Sequence, residues 1–136
     1  MAKARMDLYQ RNGTQGLIDL EYPLPIAAPG GPLNYLCATV AALGVTQLIA
    51  APGAGQRIVV VVFVIQNESQ TGTTMILRDG GNDRWRYLAA SQGDKLDMVF
   101  EAGSEWRLSA DAALNIVLSG ANQCGYSIAY HVERAI

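Results

Sequence analysis

Only one histidine, His131, is available for chemistry. A lone imidazole lacks the paired-His spacing of a zinc site. With no GxSxG elbow to nominate a nucleophile, it does not make a hydrolytic triad either. Alternation puts it on the polar side of the last strand, near Glu133. The two cysteines, Cys37 and Cys124, stand far apart without CxxC spacing, so they suit neither a metal site nor a redox motif. Both read as unpaired, buried, small apolar side chains. Residues 53–57 (Gly-Ala-Gly-Gln-Arg) have the look of a phosphate loop, but the GxxxxGK[ST] spacing is missing and a strand follows, so a turn is expected. Asp79, Gly80, Gly81, Asn82 and Asp83 offer calcium-type oxygens but lack the closing glutamate of an EF-hand, and they read as a hairpin turn. Other carboxylates are scattered singly. The expectation is no catalytic residue, no cofactor and no metal: the chain is not read as an enzyme.

Arginine and aromatic residues gather around that turn. Arg78, Arg84, Trp85, Arg86 and Tyr87 together have the composition of a binding hot spot. A period of two sets Trp85 and Tyr87 on one face and Arg84 and Arg86 on the other. Two readings stand: a rim that stacks on a ligand or partner, or core aromatics with solvated cations outside. Eight of the ten basic residues are arginine, as at interfaces, although a coding bias gives the same count.

The elements that must carry these residues follow the same period. Leu96, Met98 and Phe100 alternate with Lys95, Asp97 and Glu101. Leu114, Ile116 and Leu118 alternate with Asn115 and Ser119, and Tyr126, Ile128, Tyr130 and Val132 with Ser127, His131 and Glu133. Each set describes a half-buried strand. Residues 57–66 are apolar at both parities and read as a central strand covered on both faces. Shorter strands fit residues 73–78, 84–88 and 106–109. Residues 36–42 and 45–51 read as two strands joined at Leu43 and Gly44, because Thr39, Val40, Val45, Thr46 and Ile49 are β-branched, although the alanine content also permits a short helix there. With turn clusters every eight to twelve residues, the predicted fold is all-β: a single β-sandwich or jelly-roll-like domain of eight or nine antiparallel strands over residues 36–136.

Residues 1–35 differ. They hold four of the five prolines, Pro23, Pro25, Pro29 and Pro32, and read as an extended N-terminal arm. Leu8, Tyr9, Leu17, Ile18, Leu20 and Tyr22 are too apolar to stay in water, so the arm is expected to lie on its own body or on a neighbouring subunit.

One domain is what 136 residues can support. Half of the residues are hydrophobic and only 16% charged, against roughly 25% in an ordinary globular chain. Some of the surface is therefore expected to be covered. Ten basic against twelve acidic residues create no field for nucleic acid. The longest apolar run, residues 58–65, is far short of the about 20 residues that span a bilayer. Neither nucleic acid nor membrane is an expected partner. No secretory core follows the N-terminus, so cytosolic synthesis is expected.

Residues 48–61, Leu-Ile-Ala-Ala-Pro-Gly-Ala-Gly-Gln-Arg-Ile-Val-Val-Val, resemble a phrase of small virion proteins of tailed bacteriophages, in which a strand ends in a Pro-Gly turn and a Gly-x-Arg-Ile step opens a long central strand. The likeness runs loosely through residues 114–120 to 126–130. Capsid decoration, or cement, proteins are the most similar of these. The resemblance implies an all-β viral structural protein, often a homotrimer, that binds the major capsid protein on the outer face of the head after assembly in the host cytoplasm. It also fits a tail fibre or spike module that binds a carbohydrate or receptor, with Trp85 and Arg86 or Trp106 and Arg107 at its rim. On the first reading Arg5, Leu8, Tyr9, Arg11, Leu17, Ile18, Leu20 and Tyr22 of the arm, with Arg84, Trp85 and Arg86, are the candidate protein-interface residues.

Overall fold

A computed structural model describes residues 32–135. Among them are nine strands and no helix: β1 (Asn34–Val40), β2 (Gly44–Ile49), β3 (Gln56–Asn67), β4 (Thr73–Asp79), β5 (Asn82–Ala89), β6 (Lys95–Val99), β7 (Trp106–Arg107), β8 (Leu114–Leu118) and β9 (Cys124–Arg134). All ladders are antiparallel. One sheet runs β1, β9, β3, β6, with β7 also on β3; the other runs β2, β8, β4, β5.

The pairing is nested. β4 and β5 form the innermost hairpin, β3 pairs with β6, β2 with β8, and β1 with β9. One long hairpin folded over on itself gives this order, which is that of a double-sheet jelly roll. The innermost turn is Gly80 and Gly81, and Gly80 sits at φ 61, where a side chain is strained. The expected hairpin over residues 79–83 is there.

Alternation explains the core. Leu114, Ile116 and Leu118 of β8, Met75 and Leu77 of β4, Tyr126 and Ile128 of β9, and Ile58, Val60, Phe63 and Ile65 of β3 close on one another between the sheets. Leu96, Met98 and Phe100 pack against this cluster from the margin. At about 0.8 kcal/mol per buried CH₂, these side chains dominate the favourable side of folding.

Several details depart from expectation. The first strand starts at Asn34, inside the predicted arm, and the stretch at residues 106–109 shortens to β7. Leu43 and Gly44 do turn the chain between β1 and β2, with Gly44 at φ 92. β3 is central in its sheet, yet only residues 58–60 are buried at both parities; farther along, Val62 and Val64 are half-buried on the outer face, where no third layer lies among the described residues. Cys124 is buried as expected, but Cys37 is exposed, because it takes the outward parity of a marginal strand. His131 keeps the outward parity but is only 4% exposed, opposite fully buried Val59. Arg57, Glu133 and Arg107 occupy that end of the face, and these long paired side chains leave it little access to water.

Candidate protein interface

The outer faces of the sandwich carry the feature that needs explaining. Across the first sheet, register aligns Tyr35, Ala129, Val62 and Val99 in one row that crosses all four main strands. The next rows are Cys37, Ser127, Val64 and Asp97, then Thr39, Gly125, Gln66 and Lys95. In these three rows the only charges are Lys95 and Asp97, 3.4 Å apart and paired with each other. Tyr35 is 79% and Val99 73% exposed at the two ends of the apolar row. Between them lies a shallow hollow of about 390 Å³ lined by Tyr35, Leu36, Cys37, Val62, Ser127, Ile128 and Ala129. At the far end of the face Gly125 leaves room for the Glu68 carboxylate, which lies over it where a side chain would otherwise stand.

The second sheet repeats the theme more weakly. Val45, Val117 and Ile76 align on its outer face and end at Arg86, with Leu88 exposed two residues farther along β5. A strand residue that faces water is ordinarily polar. Two apolar outer faces on one sandwich show where the missing charge went: the ionised groups sit mostly at strand ends and in turns.

The Arg and Trp cluster takes a different form. Trp85 and Tyr87 point inward opposite Leu77 and Met75, and Arg86 points outward opposite Ile76, as alternation requires. Arg84 falls at a bulge in this ladder, and its guanidinium lies 3.7 Å from the Asp79 carboxylate. Asp79 is buried and accepts hydrogen bonds from the Ser109 amide at 3.0 Å and the Ser109 hydroxyl at 2.8 Å. Trp85 is 41% exposed, with its ring edge-on to Trp106 at 6.1 Å and tilted to Phe100 at 6.4 Å. These rings close the gap between β5 and the margin of the other sheet. Of the three candidates on β5, Arg84 and Trp85 thus border the closed margin of the core, whereas Arg86 lies on the outer face. The remaining interface candidates, Arg5, Leu8, Tyr9, Arg11, Leu17, Ile18, Leu20 and Tyr22, lie outside the described residues.

An ion network flanks this margin. Glu133 of β9 accepts from Arg57 Nε at 2.7 Å and from Arg107 Nε at 3.3 Å, and Arg107 also pairs with Glu105 at 3.3 Å. Burial acts to raise the Glu133 pKa, but the bonds and charges of the two guanidiniums outweigh it and hold the carboxyl below its ordinary range. The network pins the two-residue β7 to β9 and β3. Among the described residues, no three His, Cys, Asp or Glu side chains gather as metal ligands.

No protein-family profile matches the chain, and no curated protein matches its sequence. The apolar outer rows were missed in the sequence reading, although Val62, Val64 and Val99 stood in plain view. Only the cross-strand register shows that they share a face with Tyr35 and Ala129.

Proposed function

We propose that the chain is a viral structural protein that works by contact: a capsid decoration or cement protein of a phage head, homo-oligomeric and bound to the major capsid protein on the outer virion surface. The observation that carries the reading is the apolar outer-face row Tyr35, Ala129, Val62 and Val99, strongly exposed at its two ends, on a jelly roll. Covering such a row contributes about 25 cal/mol per Å² of apolar area, and repetition around a symmetric shell multiplies modest contacts by avidity. Jelly rolls with this strand order recur in viral capsid domains, which is support by analogy of fold. The arm, with Arg5, Leu8, Tyr9 and Arg11, adds contact area beyond the sandwich.

The test is cosedimentation with assembled, undecorated heads. The wild-type chain is expected to pellet with the shells and Val99→Asp to stay in the supernatant while remaining folded. Wild-type protein that ignores shells, and is present in purified particles in only a few copies at one vertex, would move the assignment to the tail. There the partly exposed Trp85 offers a stacking platform for a carbohydrate, and a glycan-array signal lost in Trp85→Ala would support that second reading.

A further inference from the structure

An outer strand of a sheet leaves alternate N–H and C=O groups unpaired, so proteins blunt such margins with charge, proline or bulges. Three of the four margins here are blunted. β2 is bulged between Gln47 and Ile49, β5 carries Asp83, Arg84 and Arg86, and the margin shared by β6 and β7 carries Lys95, Asp97 and Arg107. β1, with the sequence NYLCATV, has no charge, no proline and an unbroken register against β9 from Val40 to Asn34.

The hydrogen bonds fix which groups β1 offers. The Phe100 amide donates to the Val61 carbonyl and the Asn67 amide to that of Asp94, so odd-numbered residues of β3 face β6. The Glu68 amide donates to Gln123, so even-numbered residues face β9. Carried across the register, Cys124, Tyr126 and Ile128 bond to Val40, Ala38 and Leu36, and the backbone groups of Tyr35, Cys37 and Thr39 point off the edge. The core side of β1 is open as well. Leu36 and Ala38 face inward opposite Ile128 and Tyr126, yet Leu36 is only half-buried and Ala38 is exposed.

We propose that residues 17–22 of a second copy of this chain add to β1 as an antiparallel strand. In that pairing the amides of Leu17, Asp19 and Glu21, none of them proline, meet the edge groups of Thr39, Cys37 and Tyr35. Ile18 and Leu20 then fall in the rows of Ala38 and Leu36 and cover the open core side, Tyr22 falls in the row of Asn34, and Asp19 and Glu21 face water. Pro23 has no N–H and ends the ladder. The spacing selects a neighbour over the segment's own β1. Were the segment to fold back on its own strand, with the chain reversing at Gly30 and Gly31, residues 23–29, three of them proline, would be the ones beside β1. At ~3.1 Å per residue these cover about 22 Å, and the seven residues of β1 span about 23 Å, so residues 17–22 overshoot their own strand. This inference rests on the homo-oligomeric part of the reading above and not on its capsid part.

Cross-linking of the full-length chain without shells tests it. Cys37 faces the same side as residues 19 and 21 in the proposed pairing, so Asp19→Cys and Glu21→Cys are oxidised separately, or joined by a short bismaleimide. The expected result is a covalent dimer from whichever thiol lies beside Cys37, abolished by adding Cys37→Ser. Thr39→Pro, which removes an N–H that points off the edge, is expected to abolish the dimer while the circular dichroism stays native. Cross-links only within one chain, no cross-link in either variant, or cross-linking unaffected by Thr39→Pro would each overturn the proposal. Shell binding is measured separately: a cross-linked chain that ignores shells removes the capsid reading and leaves strand addition standing.

Discussion

The two flanks of the sandwich end differently. Where β5 meets β6 and β7, Trp85, Trp106 and Phe100 fill the gap between the sheets, and Arg107 is tied to Glu133 and Glu105 just beyond them. Where β1 and β2 end the sheets, the inward residues Leu36 and Thr46 are half-buried and Ala38 is exposed. A flank closed by aromatic rings and charge can face water indefinitely. A flank that leaves core positions accessible, next to an unguarded strand edge, is complete only when something lies against it. Among the described residues, one side of this small domain is thus closed and the other open.

The largest effect is expected at the closed flank. Trp106→Ala removes the ring that Trp85 packs against and is expected to cost about 3 kcal/mol in denaturant unfolding; a cost within about 0.5 kcal/mol, typical of a surface change, would show that the rings do not close this side. At the open flank the backbone discriminates between neighbours. Ala38→Pro removes an amide bonded to β9 and is expected to cost about 1–3 kcal/mol, whereas Thr39→Pro leaves the unfolding midpoint of the domain nearly unchanged. Equal losses at both positions would erase the distinction between paired and free edge groups.

The ion network makes the closed flank sensitive to acid. The Glu133 pKa is lowered in the folded chain, so its contribution is fully present above the ordinary carboxylate value of 4.5 and is lost as pH falls through the depressed one. The stability difference between the wild type and Glu133→Gln is therefore expected to be constant near neutrality and to shrink below pH 4.5. A difference that grows on acidification would contradict the assigned pairing. The smallest effect is a rate. Cys37 is exposed, whereas Cys124 is buried and its thiol pKa is raised by that burial and by Glu68. One thiol per chain is expected to react with a maleimide in native buffer and the second only on unfolding.

Much of the fold was legible in the pattern of side chains. Period-two alternation identified β6, β8 and β9 and their inward residues, because a strand that buries one face records it directly in its sequence. The glycine and proline clusters marked the turns for the same kind of local reason. The nesting of the ladders was not legible, since β1 pairs with β9 across most of the chain and no local signal reports that contact. The same distance hid the union of Arg57, Arg107 and Glu133 and the apolar row from Tyr35 to Val99, which exist only once register is fixed. His131 misled in a further way. Its parity was read correctly, but burial of an outward position depends on which neighbours share the face.

Sedimentation velocity of the full-length chain, over a range of concentrations with and without assembled shells, tests the central claim most directly, because it asks whether the apolar outer row is ever covered. The expected result is a species heavier than the 14.6 kDa chain that also associates with shells, with the shell association weakened by Val99→Asp. A single 14.6 kDa species at every concentration, indifferent to shells, would contradict it.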